Sequence, residues 1–365
     1  MRNSRKPRIA IYADPLMGNS GASKVTIDLA NALDADIITA GFNKDLAVQL
    51  NKTVKVHDIG NLTITKNHPV GFLFEAPLRF IFCPRYDYDI KMFIGLYSIY
   101  ASRRDDNNIW FSFTPNRIMY DLKEWKLKNA TLFRGLMLRL HIALFKAVDQ
   151  KVVKNNFAYI TAQTQVAQKR IKKYYSKNAE IVYSPVKTSN FHFATFSDYY
   201  LSVSRLSQEK RVDLIVKAFK QLPNQKLLVV GEGPEKEKIM KLIGDSKNIS
   251  LKDSVNDKEL IGLYANCLAT IYMPIDEDYG LVPVEGMASG KACIASDEGG
   301  CRETVIEGNT GYLIKPTVDE IVKTVRAFNL SKAKKMKIDC IMQAKEFDIS
   351  VCVKRLQIIF KTIPV

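Results

Sequence analysis

The chain has 365 residues, 47% hydrophobic and 25% charged, with 13 Pro and 18 Gly. This composition excludes a disordered or collagen-like chain, and the length suffices for two domains of ~100–200 residues. The net charge of +16 is uneven: residues 1–198 hold 29 of the 54 Lys and Arg but 16 of the 38 Asp and Glu. That surplus implies either an anionic partner for the first half (a membrane face, a phosphorylated acceptor or a nucleic acid) or a lysine-rich composition without a partner.

The opening reads as strand, loop and helix. Arg8 to Ala13 is apolar, Gly18-Asn19-Ser20-Gly21 is a turn, and Ser23 to Leu33 places Val25, Leu29 and Leu33 on one helical face. The apolar run Ile9–Ala13 is too short for a secretory core. Strand-like runs follow at 36–40, 54–59, 90–94, 107–113, 157–161 and 180–184, with helical patterns between most of them. Glu75 and Arg79 interrupt 69–82 and Lys91 interrupts 90–100, so no run is long enough to cross a bilayer.

The stretch 122–154 is helical in pattern. It carries eight basic residues (Lys123, Lys126, Lys128, Arg134, Arg139, Lys146, Lys151, Lys154) among Leu, Phe and Met. It reads either as a surface for anionic lipid or as ordinary solvated helices. Residues 185–198 lack periodicity and read as a linker. A second series then alternates strands at 199–204, 226–231, 249–252, 268–273, 291–295 and 311–314 with helices at 211–221, 234–243, 257–265 and 281–289. Strand–helix alternation predicts parallel sheets covered by helices, in two tandem α/β domains. The six cysteines (Cys83, Cys267, Cys293, Cys301, Cys340, Cys352) have no CxxC spacing and read as free thiols of a soluble, intracellular protein.

The candidate chemistry lies mainly in the second series. Arg205 and Lys210 stand five apart where a strand-end loop opens a helix, so both can converge on one diphosphate, aided by the helix N-terminus. Gly231-Glu232-Gly233-Pro234 permits a close turn. Glu277 and Glu285 bracket the loop Asp278-Tyr279-Gly280-Leu281-Val282-Pro283-Val284, so one can meet a sugar and the other a ribose, with loop N–H groups facing phosphates. Gly290-Lys291 and Gly299-Gly300-Cys301-Arg302-Glu303 follow.

The order RLxxEK, GEGP, E-x7-E, MASGK, GGxxE resembles the retaining glycosyltransferases of family 4, which have the GT-B fold, and the likeness extends over nearly the whole chain. Gly18 with Gly21-Ala22-Ser23 is similar to that family's first glycine loop, Thr114-Pro115-Asn116-Arg117 with Tyr120-Asp121 to its HTPxRYxxD segment. Tyr183-Ser184-Pro185-Val186 fits the stretch before the interdomain linker, and Phe347-Asp348 fits the closing segment. The resemblance implies two Rossmann-like domains, 1–190 for the acceptor and 199–345 for the nucleotide-sugar. Residues 346–365 would cross back to the first domain, and chemistry would occur in a cleft between the domains. It implies that Arg205 and Lys210 hold the diphosphate and that Glu277 contacts the sugar near the N–H groups of Tyr279, Gly280 and Leu281. Glu285 would bind the ribose, while Gly18 and Gly21 would allow close backbone approach.

No metal or other cofactor is implied, the nucleotide-sugar being a substrate. The motif segments are most similar to mannosyltransferases of polysaccharide and lipid-linked glycan assembly, which favours GDP-mannose over UDP-sugars. A cytoplasmic protein, peripheral on the membrane's inner face, is expected. Two positions depart from the family: Phe113 replaces its usual His, and Asp253 a common Gly. A catalytically inactive nucleotide-sugar-binding relative is the alternative that Phe113 raises.

Asp87-Tyr88-Asp89 and Asp276-Glu277-Asp278 match a DxD metal motif in spelling, but His57, His68, His141 and His192 lie far apart, without ligand spacing. Gly231-Glu232-Gly233 lacks the third glycine of a dinucleotide fingerprint. The basic residues follow no nucleic-acid-binding order, so nucleic acid is not an expected partner.

Overall fold

In a computed structural model of the chain, each series of strands forms one all-parallel sheet. The structure describes residues 6–18, 20–60, 69–104 and 107–363; Asn19 of the first glycine turn and His68 lie outside them. The chain divides into one unit of residues 1–185 with 352–365 and a second of 186–351.

The first unit runs β1 (Ile9–Ala13), α1 (Gly21–Leu33), β2 (Asp36–Thr39), β3 (Val56–Asp58), α2 (Pro69–Ile81), β4 (Ile90–Ile94) and β5 (Asn108–Ser112). It continues through α3 (Lys123–Lys128), α4 (Leu132–Asn156), β6 (Tyr159–Ala162), α5 (Gln165–Tyr175) and β7 (Glu180–Ile181). Its sheet order is β3-β2-β1-β4-β5-β6-β7. Strands β1 and β5 are buried throughout, as apolar runs covered on both faces require. Ser20 caps α1 by accepting from the Ser23 amide at 3.1 Å, and Asp34 ends it in the left-handed region.

The second unit holds β8 (Tyr199–Val203), α6 (Val212–Lys220), β9 (Lys226–Val230), α7 (Lys236–Ile243), β10 (Ile249–Lys252), α8 (Asp257–Asn266) and β11 (Ala269–Tyr272). Then come α9 (Leu281–Ala288), β12 (Cys293–Ser296), α10 (Cys301–Thr304), β13 (Gly311–Ile314), α11 (Val318–Ala327), α12 (Leu330–Lys345) and the start of α13 (Ile349–Lys361). Its sheet order is β10-β9-β8-β11-β12-β13. From Cys352 onward α13 belongs to the first unit. There Tyr159 donates to the Thr362 carbonyl (2.8 Å) and Arg355 to that of Ile181 (3.1 Å).

Two local readings change. The helical stretch 122–154 is broken between α3 and α4, because the Thr131 hydroxyl accepts the Arg134 amide and starts a new helix. Of the aperiodic segment 185–198, all but Pro185 is bound into the second unit. Thr188 donates its amide and hydroxyl to Asp348, Ala194 and Ser197 donate amides to the carbonyls of Ala265 and Asn266, and the buried Lys291 ammonium donates to the Thr195 carbonyl between the rings of Phe193 and Phe196. Periodicity is blind to such a segment, because side chains of other elements hold it.

Candidate functional site

Each sheet reverses its strand order once, between β1 and β4 in the first unit and between β8 and β11 in the second. Loops leaving such neighbouring strands part to opposite faces, and the crevice between their carboxyl ends is where open parallel sheets bind ligands. The sequence motifs fall on these loops.

In the second unit, the loop after β8 carries Arg205 and Lys210. A Cβ on Gly231 would lie 1.9 Å from the Ser204 carbonyl oxygen, and one on Gly233 2.4 Å from that of Leu206. Both glycines have positive φ (148° and 153°), so the turn after β9 can lie directly on the backbone that presents Arg205. The Leu206 amide donates to Glu232 (2.8 Å) and the Glu235 amide to Leu206 (2.9 Å). Arg205 itself is exposed, and among the described residues its guanidinium has no hydrogen bond or ion pair.

Lys210 is more constrained. Its ammonium donates to the Tyr272 hydroxyl (3.0 Å) and to the Glu277 carboxylate, and Tyr272 donates to the same oxygen of Glu277 at 2.7 Å. The Ile275 amide bonds to the Glu209 carbonyl (2.8 Å), tying the two loops together across the switch point. Burial pushes the Glu277 carboxyl up; the Lys210 charge, with hydrogen bonds from Lys210, Tyr272 and the Asp278 amide, more than offsets this. Glu277 therefore titrates below the ordinary carboxylate range and stays ionised.

The Glu277 loop is held from behind. Arg211, in the left-handed region (φ 49°), makes a fork to Glu298 (2.9 and 3.3 Å), and Glu298 accepts the Asp276 amide at 3.0 Å. A Cβ on Gly299 would lie 2.2 Å from the Glu277 carbonyl oxygen, and one on Gly300 2.6 Å from the Tyr279 Cα. The Gly300 amide donates to that Glu277 carbonyl at 2.7 Å. Tyr279 is buried, edge-on to Phe347. Gly280 (φ 90°) precedes α9 without any side-chain cap, so Leu281 opens a helix whose first turn has no side-chain acceptor. Such a start suits an anionic ligand. Glu285, one turn into α9, is buried and accepts the Tyr264 hydroxyl at 2.9 Å.

The structure thus joins Lys210 to Glu277 and sets Arg205 and Gly280 on the adjoining loops, whereas Glu285 accepts from Tyr264 inside the unit. Four residues had no role in the sequence reading: Tyr272, Arg211, Glu298 and Tyr264. Only Tyr272 carried a signal, as a polar group at a strand end five residues before Glu277.

The first unit's switch point is built differently. Its organiser is Asp14, unnoticed in the sequence, whose carboxylate accepts the amides of Leu96 (2.7 Å), Tyr97 (2.8 Å) and Ser98 (2.8 Å). Gly95 permits this approach, since its Cβ would fall 2.4 Å from the Asp14 carboxyl carbon. Gly21 is the first residue of α1, and a Cβ on Gly18 would meet nothing within 4 Å. After β5, Phe113 is half-buried, edge-on to Phe111. Arg117 pairs with Asp121 at 2.9 Å. Of the DxD-like spellings, Asp87 pairs with the Arg8 guanidinium (2.9 Å) and Asp89 accepts the Arg8 amide (2.7 Å), fastening the start of β1. Among the described residues no three His, Cys, Asp or Glu are grouped as metal ligands.

Residues 190–347 match the family model described as glycosyl transferases group 1. The chain is 25% identical over 269 residues to the alpha-1,3/1,6-mannosyltransferase ALG2 of Dictyostelium discoideum, a match covering 60% of this chain and 62% of that one, which is under two thirds of the relative's length. The ALG2 of Candida glabrata is 23% identical over 392 residues, covering 87% and 83%. Among solved structures, Anabaena HepE in complex with UDP and glucose superposes with a TM-score of 0.74 at 15% identity, over 98% of this chain and 100% of that one. The likeness of fold is to GT-B proteins, as the motif order implied.

Proposed function

From the GT-B fold, and from the match of residues 190–347 to the group 1 glycosyl transferases, we propose that the chain moves a hexose from a nucleotide-sugar to a glycan or lipid-linked acceptor, with retention of anomeric configuration. The observation that carries the reading is the second unit's switch point: Arg205 without a partner among the described residues, beside Lys210, Tyr272 and Glu277 and the uncapped start of α9. Arg205 and Lys210 bind the diphosphate and stabilise the charge that develops as it leaves, a kind of contribution worth ~10²–10³ in rate. The first-turn amides of α9 add dipole and hydrogen bonds at the phosphates. Glu277, kept ionised, accepts from sugar hydroxyls, and Glu285 accepts from the ribose. The leaving phosphate takes the acceptor's proton on the face it departs from, so the chemistry calls for no separate nucleophile, and the reading assigns no metal.

Mannose from GDP-mannose is the favoured donor, supported by the ALG2 relatives; HepE, crystallised with UDP, supports UDP-sugars as the second choice. The basic stretch 122–154 supports a cytoplasmic protein held peripherally at an anionic membrane face, near a lipid-linked acceptor. Phe113 favours one other reading, a binding protein without turnover, because its half-buried ring offers no hydrogen bond to a sugar.

The test is a thermal-shift series with GDP, UDP, ADP and dTDP on wild type and Arg205→Ala. At ~100 times its dissociation constant a nucleotide adds about 2.7 kcal/mol, a shift of a few degrees. One nucleotide should shift the wild type and shift the variant less; no shift with any of the four removes the diphosphate site. Release of free sugar from the donor separates an enzyme from a binding-only relative.

A further inference from the structure

Helix α4 is apolar on both faces. Its inward side consists of Gly135, Leu138, His141, Ile142, Phe145, Asp149 and Val153, all buried. Its outward side presents Leu132 (90% exposed), Phe133 (64%), Leu136 (56%), Leu140 (44%), Leu144 (53%) and Val148 (37%), with the exposed Ala143 and Ala147 between them. At ~100° per residue these outward side chains occupy one arc of about 160°, opposite the buried face. That arc holds no polar residue from Leu132 to Val148. A solvated surface helix has a charged outer face, so an outer face this apolar over four turns is built to be covered.

The flanks of the arc identify the cover. Arg134, Arg139 and Lys146 border it, and Lys151 and Lys154 close its C-terminal end; the only acid on the helix is the buried Asp149. α3, which packs on α4, adds Lys123, Lys126 and Lys128, with the Lys126 ammonium over the ring of half-buried Trp125. A second copy would bring one basic rim against another. No described helix is long and apolar enough to cross a membrane.

We propose that α4 lies in the plane of an anionic bilayer and inserts Leu132, Phe133, Leu136, Leu140 and Leu144 among the lipid chains, while the basic rim engages lipid phosphates. The assignment deepens the peripheral placement above and rests on that reading only for the lipid-linked acceptor. Attachment then has two parts: the charged rim is screened by salt, and the apolar face is not.

The experiment is flotation of the full chain with phosphatidylcholine vesicles and with vesicles containing 30% phosphatidylglycerol, at 0.1 and 0.5 M NaCl. Wild type should float with the anionic vesicles and keep part of its binding at 0.5 M. A Leu136→Gln/Leu140→Gln/Leu144→Gln variant should lose at least ~100-fold in partitioning at both salts. Arg139→Gln/Lys146→Gln should weaken binding only at 0.1 M. The nucleotide thermal shift should be the same in all three, which keeps the donor site and the membrane face separate. Vesicle binding by the triple-leucine variant equal to wild type would overturn the proposal. So would complete release of wild type by salt, or a change in the variant's solution mass without a change in flotation, which would make the face a self-association surface.

Discussion

Lys210, Tyr272 and Glu277 form a triangle in which each side is a hydrogen bond. The hydroxyl of Tyr272 accepts from the lysine and donates to the carboxylate, so it fixes the position of both charges without itself being one. Tyr272→Phe should therefore lower kcat about tenfold with little change in KM, since a hydrogen bond to a charged group is worth roughly 1.5–3 kcal/mol. Steady-state kinetics on the donor check this, and an unchanged kcat would show the hydroxyl to be incidental. A second residue-scale prediction concerns Asp149, whose carboxylate receives the hydroxyls of Tyr120 (2.6 Å) and Tyr175 (2.7 Å). Burial pushes its carboxyl from 3.8 up to about 6, against the pull of those hydrogen bonds. The folded state thus keeps a proton that the unfolded chain releases. Its contribution is full below pH 3.8 and is lost as pH rises to about 6. Wild-type stability measured against Asp149→Asn in urea should fall by up to about 1.4 kcal/mol per pH unit across that window and be level above it. A level difference from pH 4 to 7 would remove the assignment. His141, buried among Phe74, Tyr97 and Phe145 and lowered by burial to about 4, slopes the other way, losing stability as pH falls below 6.5.

At the scale of elements, the site is a stack of loops made possible by missing side chains. Gly300 has ordinary backbone angles (φ −67°), so its need for glycine comes from the Tyr279 Cα and Asp278 carbonyl that a Cβ would strike at 2.6 and 2.7 Å. Backbone atoms cannot swing aside as a side-chain tip can. Gly300→Ala should displace loop 276–280 and lower transfer by ~10²-fold or more, with the helix content unchanged. Gly18 is the contrasting case: its Cβ would occupy open space, so Gly18→Ala should leave the melting temperature unmoved. If the backbone there meets acceptor or phosphate, the same substitution slows transfer; parallel melting and activity assays on the two variants separate packing glycines from approach glycines. Segment 186–198 shows the converse, an aperiodic element held by distant side chains such as Lys291 and Asp348.

At the scale of the whole molecule, charge and topology divide the labour. Both sheets reverse order at an interior pair of strands, so each unit offers its own crevice at the carboxyl ends. The basic surplus falls in residues 1–198, which hold the acid-poor helices α3 and α4 with their outward apolar face. The proposed diphosphate site falls in the nearly balanced residues 199–365, where it would concentrate attraction for an anion in Arg205, Lys210 and a helix start rather than spread it over the surface. A local field of that kind selects a small anion, and a diffuse one selects a charged surface.

The sequence by itself determined the fold class, because apolar runs alternating with amphipathic stretches have one economical solution, parallel sheets under helices. It also placed Arg205, Lys210, Glu277 and Gly280 on loops that follow strands, since their spacing is set within single loops. Only the tertiary structure decided which of these meet. Tyr272 joins Lys210 to Glu277 across 62 and 5 residues of chain, Arg211 reaches Glu298 across 87, and Asp14 finds three amides more than 80 residues away. Such partners are set by strand order, which hydrophobic periodicity does not encode. The outward face of α4 is the clearest case. Eight basic residues marked the stretch, but a helix apolar on two opposite faces has no preferred side in its sequence, and only the packed inner face shows which leucines are left to solvent.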